Sequence, residues 1–377
     1  MEGQIKVKTK VLFIIHDLKH GGAEKVLLNL VSHMDRAMFD ITIMTIFDVG
    51  VHKASLPDDV HYKTIFKREF RGNKYFFRLF SPEYLYQRYV KDHYDVVIAY
   101  LEGSATRIAA GCTEPGVRKL AWRHITESPK EFVQCHRSMK EAREIYQRFD
   151  AVACVSKTVA KNFKHLSGMD SDKIRVIYNT NETDKILALS EEEVANAAFD
   201  GDYLKFIAVG KVMPRKGFMR LAHVHKRLQQ EGYRYKIYIL GQGEQQKEIE
   251  KYLKTNQLQD SFVFLGYDTN PYKYVRRSDL FICPSYAEGF STAATEALIV
   301  GTPVLTTLCS GMEEMLGKNG EYGVIVENST KGLYKGLKRF LDYPELLEHY
   351  RSQAETRGKA FSTERTVKKT ERFILNK

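Results

Sequence analysis

Short apolar runs alternate with amphipathic stretches from one end of the chain to the other. In the first half the runs predict strands at Lys10 to His16, Phe39 to Phe47, Val96 to Tyr100, Lys119 to Trp122, Ala151 to Ser156 and Ile174 to Tyr178. Helical spacing fills Ala23 to Met34, Ser81 to His93, Ser104 to Cys112, Phe132 to Arg148 and Thr158 to His165. The polar, acidic stretch from Thr180 to Asp202 reads as a helix and linker. After it the pattern restarts, with strands at Lys205 to Gly210, Tyr235 to Gly241, Ser261 to Gly266 and Leu280 to Cys283. Helices at Phe218 to Glu231, Gln245 to Thr255 and Asn270 to Arg276 separate them. Strands parted by helices imply right-handed crossovers and parallel sheets. The expected class is α/β, with two doubly wound Rossmann-like domains. The boundary falls near 182: residues 1–182 form the first domain and 183–355 the second.

The stretch CPSYAEGFSTAATEALIVGTPVL, residues 283–305, is the richest in chemistry. It reads as a strand end, an acidic loop with Glu288, a helix from about Ala293, a stop at Gly301 and Pro303, and a new strand at Val304. Ser291 or Thr292 is the expected N-cap. Ligands of open parallel sheets bind beyond the carboxyl ends of the strands. A helix N-terminus offers unpaired N–H groups to a phosphate, and carboxylates such as Glu288 and Glu296 accept hydrogen bonds from sugar or ribose hydroxyls. A second loop, Val209-Gly-Lys-Val-Met-Pro-Arg-Lys-Gly217, crowds Lys211, Arg215 and Lys216 at a strand end, where they form either a diphosphate clamp or a solvated turn. His16-Asp-Leu-Lys-His-Gly-Gly-Ala-Glu24 places Gly21 and Gly22 between the first strand and a helix. Ala121-Trp-Arg-His124 puts a histidine at another strand end, and Gly241-Gln-Gly-Glu244 reads mainly as a structural turn.

Composition narrows the field. The chain has 377 residues, 43% hydrophobic, with a net charge of +11. That is enough to bury two cores, and no apolar stretch approaches a bilayer span. The first ten residues carry lysines without a following secretory apolar region, so no signal peptide is expected. The cysteines at 112, 135, 154, 283 and 309 have no metal or redox spacing, which points to a reducing, cytoplasmic setting. The positive charge favours anionic partners. It concentrates in residues 61–94, where eight Lys or Arg face three Asp or Glu among many Tyr and Phe. Such a tract either skims an anionic membrane surface or packs its rings into the first domain.

The 283–305 stretch resembles the signature of the retaining glycosyltransferases of family 4, of the bacterial polysaccharide and capsule type, which have the GT-B fold. The Lys211…Lys216-Gly217 loop resembles that family's phosphate-holding element, with Lys211 where Arg is usual. The Gly21-Gly22-Ala-Glu loop and the Trp122-x-His124 element match it too, while Glu182 stands where Asp is usual. The resemblance covers essentially the whole chain. It implies that Glu288 binds donor-sugar hydroxyls and that Glu296 binds the ribose. Lys211 and Lys216 would hold the diphosphate, aided by amides around Gly289, Phe290, Ser291 and Thr292. His124 would support the reacting sugar, and Gly21 and Gly22 would line a central cleft. It implies a final helix, 356–377, that returns to the first domain. The donor would be a nucleotide sugar, most commonly UDP-linked, and the acceptor a glycan hydroxyl, with a lipid-linked glycan fitting the basic tract. Asp58-Asp59 is not a convincing metal pair, so transfer is expected without metal or other cofactor. Two other readings stand beside this one. A dinucleotide enzyme of another class would need a GxGxxG fingerprint, which neither Gly21-Gly22 nor Gly241-x-Gly243 supplies. A non-catalytic membrane or nucleic-acid binder would rest on the charge alone; a nucleic-acid partner is not expected.

Overall fold

The computed structural model describes residues 7–19 and 21–376 of the chain. They divide into two compact units: residues up to Asn181 together with those from Glu364, and Glu182–Thr363. Each holds a parallel sheet flanked by helices.

In the first unit the strands are β1 (Thr9–Ile15), β2 (Phe39–Phe47), β3 (His61–Phe66), β4 (Val96–Ala99), β5 (Arg118–Arg123), β6 (Ala151–Cys154) and β7 (Ile174–Val176). Among the described residues they form a seven-stranded sheet of order β3-β2-β1-β4-β5-β6-β7. The second unit carries β8 (Leu204–Val209), β9 (Tyr235–Leu240), β10 (Phe262–Gly266), β11 (Leu280–Cys283), β12 (Val304–Thr307) and β13 (Val324–Val326), in the order β10-β9-β8-β11-β12-β13. The fold is GT-B: two doubly wound, Rossmann-like α/β domains.

The central strands read as continuous apolar runs because helices cover both sheet faces. Val11 to Ile15 are fully buried, as are Phe206 and Ile207. In both sheets the chain winds outward from the first strand, returns, and winds the other way. The order therefore reverses between β1 and β4, and again between β8 and β11. Crevices at such reversals are where open α/β sheets take ligands.

Three expectations need correction. The stretch 132–148 is not one helix: Pro129–Phe132 ends early, and Met139–Gln147 starts afresh. Ser138 caps the new helix by accepting a hydrogen bond from the Glu141 amide at 3.1 Å. The helix expected over 81–93 stops at Tyr89. Residues 61–66, expected as part of the basic tract, are strand β3, paired with β2 at the sheet edge.

Candidate functional site

In the second unit the loops after β8 and β11 are stitched together at the reversal point. The Tyr286 amide donates to the Arg215 carbonyl at 2.8 Å. Gly217 adopts a left-handed backbone (φ 73°), and a Cβ there would stand 1.9 Å from the Pro284 carbonyl oxygen. Only glycine permits that approach. Behind this loop, a Cβ on Gly241 would meet the Gly210 oxygen at 2.0 Å, so the 241–244 turn acts as a packing support.

The stitching brings Lys216 to Glu288. Lys216 Nζ lies 2.7 Å from Glu288 Oε1, and Ser285 Oγ donates to the same oxygen at 2.6 Å. The Glu288 side chain is only 9% exposed and that of Lys216 22%, so the pair is shielded but reachable. Lys211 is not part of this contact. Its side chain is exposed and makes no ion pair among the described residues.

Glu288 and buried Gly289 lead into the helix Thr292–Ile299, capped by Ser291, whose Oγ accepts from the Ala294 amide at 3.3 Å. Thr292 at the first position is half-buried, and the Phe290 ring packs against Phe361. Glu296, one turn along, is buried and accepts a hydrogen bond from Tyr272 Oη at 3.3 Å. A lysine, two carboxylates and the positive end of a helix therefore share one strand-end region, with cationic groups for phosphate and acceptors for hydroxyls.

The first unit has its own cluster at the ends of β1, β4 and β5. Gly21 is the N-cap of the helix Gly22–His33. The Glu24 carboxylate folds back so closely that a Cβ on Gly21 would lie 1.9 Å from it. Burial pushes the Glu24 carboxyl above the ordinary range. Its charge reaches Tyr100, whose ring lies 5.0 Å from that of His124. His124 Nε2 is 2.8 Å from the Tyr100 carbonyl oxygen. A carbonyl only accepts, so Nε2 carries the proton and Nδ1 of the neutral ring is left as an acceptor. Burial lowers the His124 pKa, against the pull of Glu102. The His124 amide donates to Glu102 Oε1 at 2.6 Å. Beneath it, Arg123 is 1% exposed and bonds Glu127 and Tyr146. Burial opposes its charge, but Tyr146, Glu102 and Glu127 more than offset that and raise its pKa. Trp122 is a core residue, edge-on to Phe373.

Ser285 and Glu102 were not singled out by sequence reasoning, and Glu24 was named only as the end of the Gly21-Gly22-Ala-Glu loop. Ser285 was findable, three residues before Glu288 in the same loop. Glu102 was not, because 22 residues separate it from the amide it holds.

Two family descriptions match the chain: Glycosyltransferase Family 4 over residues 20–185 and Glycosyl transferases group 1 over residues 190–357. The chain belongs to the glycosyltransferases. A Campylobacter jejuni relative is 25% identical over 97% of this chain and 99% of its own. It is described as N-acetylgalactosamine-N,N'-diacetylbacillosaminyl-diphospho-undecaprenol 4-alpha-N-acetylgalactosaminyltransferase. The Staphylococcus aureus capsular polysaccharide biosynthesis glycosyltransferase CapM is 30% identical, over 34% of this chain and 33% of its own. Among solved structures, Anabaena Alr3699/HepE with UDP and glucose superposes at a TM-score of 0.78. It is 16% identical over 97% of this chain and 99% of that one. This glycosyltransferase thus shares its fold with HepE and part of its sequence with a capsular polysaccharide biosynthesis glycosyltransferase.

Only part of the basic aromatic tract of this glycosyltransferase packs into the first unit. Phe66, Phe70, Phe76 and Phe77 interlock at ring distances of 5.4 to 6.2 Å. Tyr75, Leu79 and Tyr84 are instead exposed, as are Lys67, Arg68 and Arg71.

Proposed function

We propose that the protein transfers a sugar from a UDP-sugar to a hydroxyl of a lipid-linked glycan, with retention of anomeric configuration and without a metal ion. The observation that carries this reading is the Lys216–Glu288 contact beside the helix Thr292–Ile299. Lys216 holds the diphosphate with the helix N-terminus, and Lys211, free to swing from its exposed position, adds a second cation. Amides around Gly289, Phe290, Ser291 and Thr292 complete the anion site. Glu288 accepts from the donor sugar and Glu296 from the ribose. These cations and the helix dipole neutralise the leaving diphosphate, which is the role a metal would otherwise fill. His124, neutral and with Nδ1 as acceptor, supports the reacting sugar, and Gly21 and Gly22 line the same strand-end region.

UDP is favoured because HepE has been solved with UDP and with UDP-glucose. A lipid-linked acceptor is favoured by the name of the Campylobacter relative. It fits a surface where Tyr75, Leu79 and Tyr84 stand among exposed cations, the composition of a protein resting on an anionic bilayer. No helix among the described residues is long and apolar enough to cross a membrane. Peripheral attachment to the cytoplasmic face therefore completes the proposal.

The test is a thermal-shift screen against UDP, GDP and their sugars, followed by product analysis with undecaprenyl-diphosphate-linked acceptors. NMR of the product reports the anomeric configuration, and the same assay in EDTA reports the metal requirement. Stabilisation by GDP-sugars alone, an inverted product or loss of turnover in EDTA would each remove one part of the proposal.

A further inference from the structure

Arg220 lies in the first turn of the helix Phe218–Gln230, four residues after Lys216, and is 3% exposed. Its guanidinium is spent on the loop after β11. Nε donates to the Pro284 carbonyl at 2.7 Å. Nη2 donates to that carbonyl too, to the Ser285 carbonyl at 2.6 Å and to Thr307 Oγ1 at 3.2 Å. Nη1 donates to Asn328 Oδ1 at 2.8 Å. The guanidinium carbon sits 3.9 Å from the centre of the Tyr286 ring. Asn328 in turn donates to the Tyr286 carbonyl at 2.9 Å.

The loop needs such a partner because its chain has left the sheet, and its carbonyls have no ladder to join. Among the described residues Arg220 has no carboxylate within ion-pair range. Its charge is met by carbonyl dipoles and one aromatic face. A buried cation without an anion is an expensive way to gain stability. A planar fork with five donors, however, fixes several acceptors in one geometry, which lysine does not. What it fixes is Pro284–Ser285, and Ser285 Oγ holds the Glu288 carboxylate at 2.6 Å.

We propose that Arg220 is a positioning residue that sets Glu288 for the donor sugar through Ser285. This role rests on the reading of Glu288 as the acceptor of sugar hydroxyls. One misplaced hydrogen bond to the sugar is worth about 1.4 kcal/mol, or tenfold in affinity.

The experiment is calorimetric titration of UDP, UDP-glucose and UDP-N-acetylgalactosamine into the wild type, Arg220→Lys, Glu288→Ala and the double variant. Arg220→Lys should leave UDP affinity within about twofold and weaken the better UDP-sugar by about tenfold. In the Glu288→Ala background it should add less than about twofold. Asn328→Ala, which frees the far side of the same loop, should act in the same direction by about threefold, and it carries the test if Arg220→Lys does not fold. Equal weakening of UDP and UDP-sugar, or a full effect persisting without Glu288, would overturn the positioning role alone. A wild type that binds no uridine nucleotide would overturn the donor reading and this role with it.

Discussion

Replacing Lys216 by methionine keeps most of the side chain's volume and removes its charge, so the consequence is traceable through one contact. At 2.7 Å, with an effective dielectric constant of about 20, the attraction between Lys216 and Glu288 is about 6 kcal/mol before desolvation is charged against it. Much of that is offset, because both groups have given up water. Breaking a fully buried pair costs about 3–5 kcal/mol, through the carboxylate left behind. Lys216 is 22% exposed, so water can enter when it goes, and Ser285 still serves Glu288. The expected destabilisation is therefore about 2 kcal/mol, a fall of roughly 5 °C in Tm for a unit of this size.

Activity should fall much further, by about 10²–10³ in kcat, if Lys216 also stabilises the leaving diphosphate. The double variant Lys216→Met/Glu288→Gln separates the two effects. With no carboxylate left unpaired, its Tm should recover by about half of the single variant's loss. Its turnover should not recover at all. The assay is nucleotide release from the donor that the screen identifies, run beside thermal denaturation. Turnover within about threefold of wild type in Lys216→Met, together with the expected fall in Tm, would refute the phosphate role. The contact would then be a structural ion pair.

Burial holds the imidazoles of His136 and His225 down to about 4 and about 3, and lowers that of His124. Below about pH 6.5 the unfolded chain binds more protons at these sites than the folded one, so stability should fall with pH by up to about 1.4 kcal/mol per unit per histidine. Above that pH their contribution is constant; His225→Gln should flatten the acid limb in urea titrations, and an unchanged slope would contradict this account. Gly241→Ala should cost about 3 kcal/mol by urea denaturation, since its Cβ would stand 2.0 Å from the Gly210 oxygen at a φ of 144°. A neutral result would mean that the loop after β8 is not braced there. Changing Tyr75, Leu79 and Tyr84 together to serine should reduce sedimentation with phosphatidylglycerol vesicles by about tenfold or more while leaving UDP affinity untouched. Undiminished sedimentation would remove this face as the membrane contact.

Much of the fold was legible because fully buried parallel strands write themselves as apolar runs. Strand β3 was not. As an edge strand it is paired on one side only, and His61-Tyr-Lys-Thr-Ile-Phe66 carries the polar residues that edges tolerate. β13 is three residues long, too short to show any period. The break at Ser138 was hidden because the helix formers after it continue the spacing of the residues before it. The site divides along the same physical line. Glu288, Ser291, Glu296 and Lys216 stand in contiguous loop-and-helix segments, so order along the chain already brings each to a strand end. Which lysine meets Glu288 depends on how the two loops lie against each other. That is decided by Gly217 and by the Tyr286–Arg215 hydrogen bond.

Both units place their chemistry at the point where strand order reverses, yet they build it in different ways. At β8 and β11 the charged groups are held by short contacts between adjacent loops, with Lys216 Nζ and Ser285 Oγ both within 2.7 Å of Glu288 Oε1. At β1, β4 and β5 the strand-end group is the buried, neutral imidazole of His124, and the charges beside it are those of Glu102, Arg123 and Glu127. A diphosphate carries full negative charge throughout binding, which suits a cation together with the positive end of a helix. A hydroxyl proton can be accepted by a carboxylate such as Glu288 or by a neutral imidazole of fixed orientation, whereas a charged imidazole would offer only donors. In the first unit the Glu102 carboxylate is thus spent on holding the backbone of His124, whereas in the second Lys216 and Ser285 are spent on holding the Glu288 carboxylate.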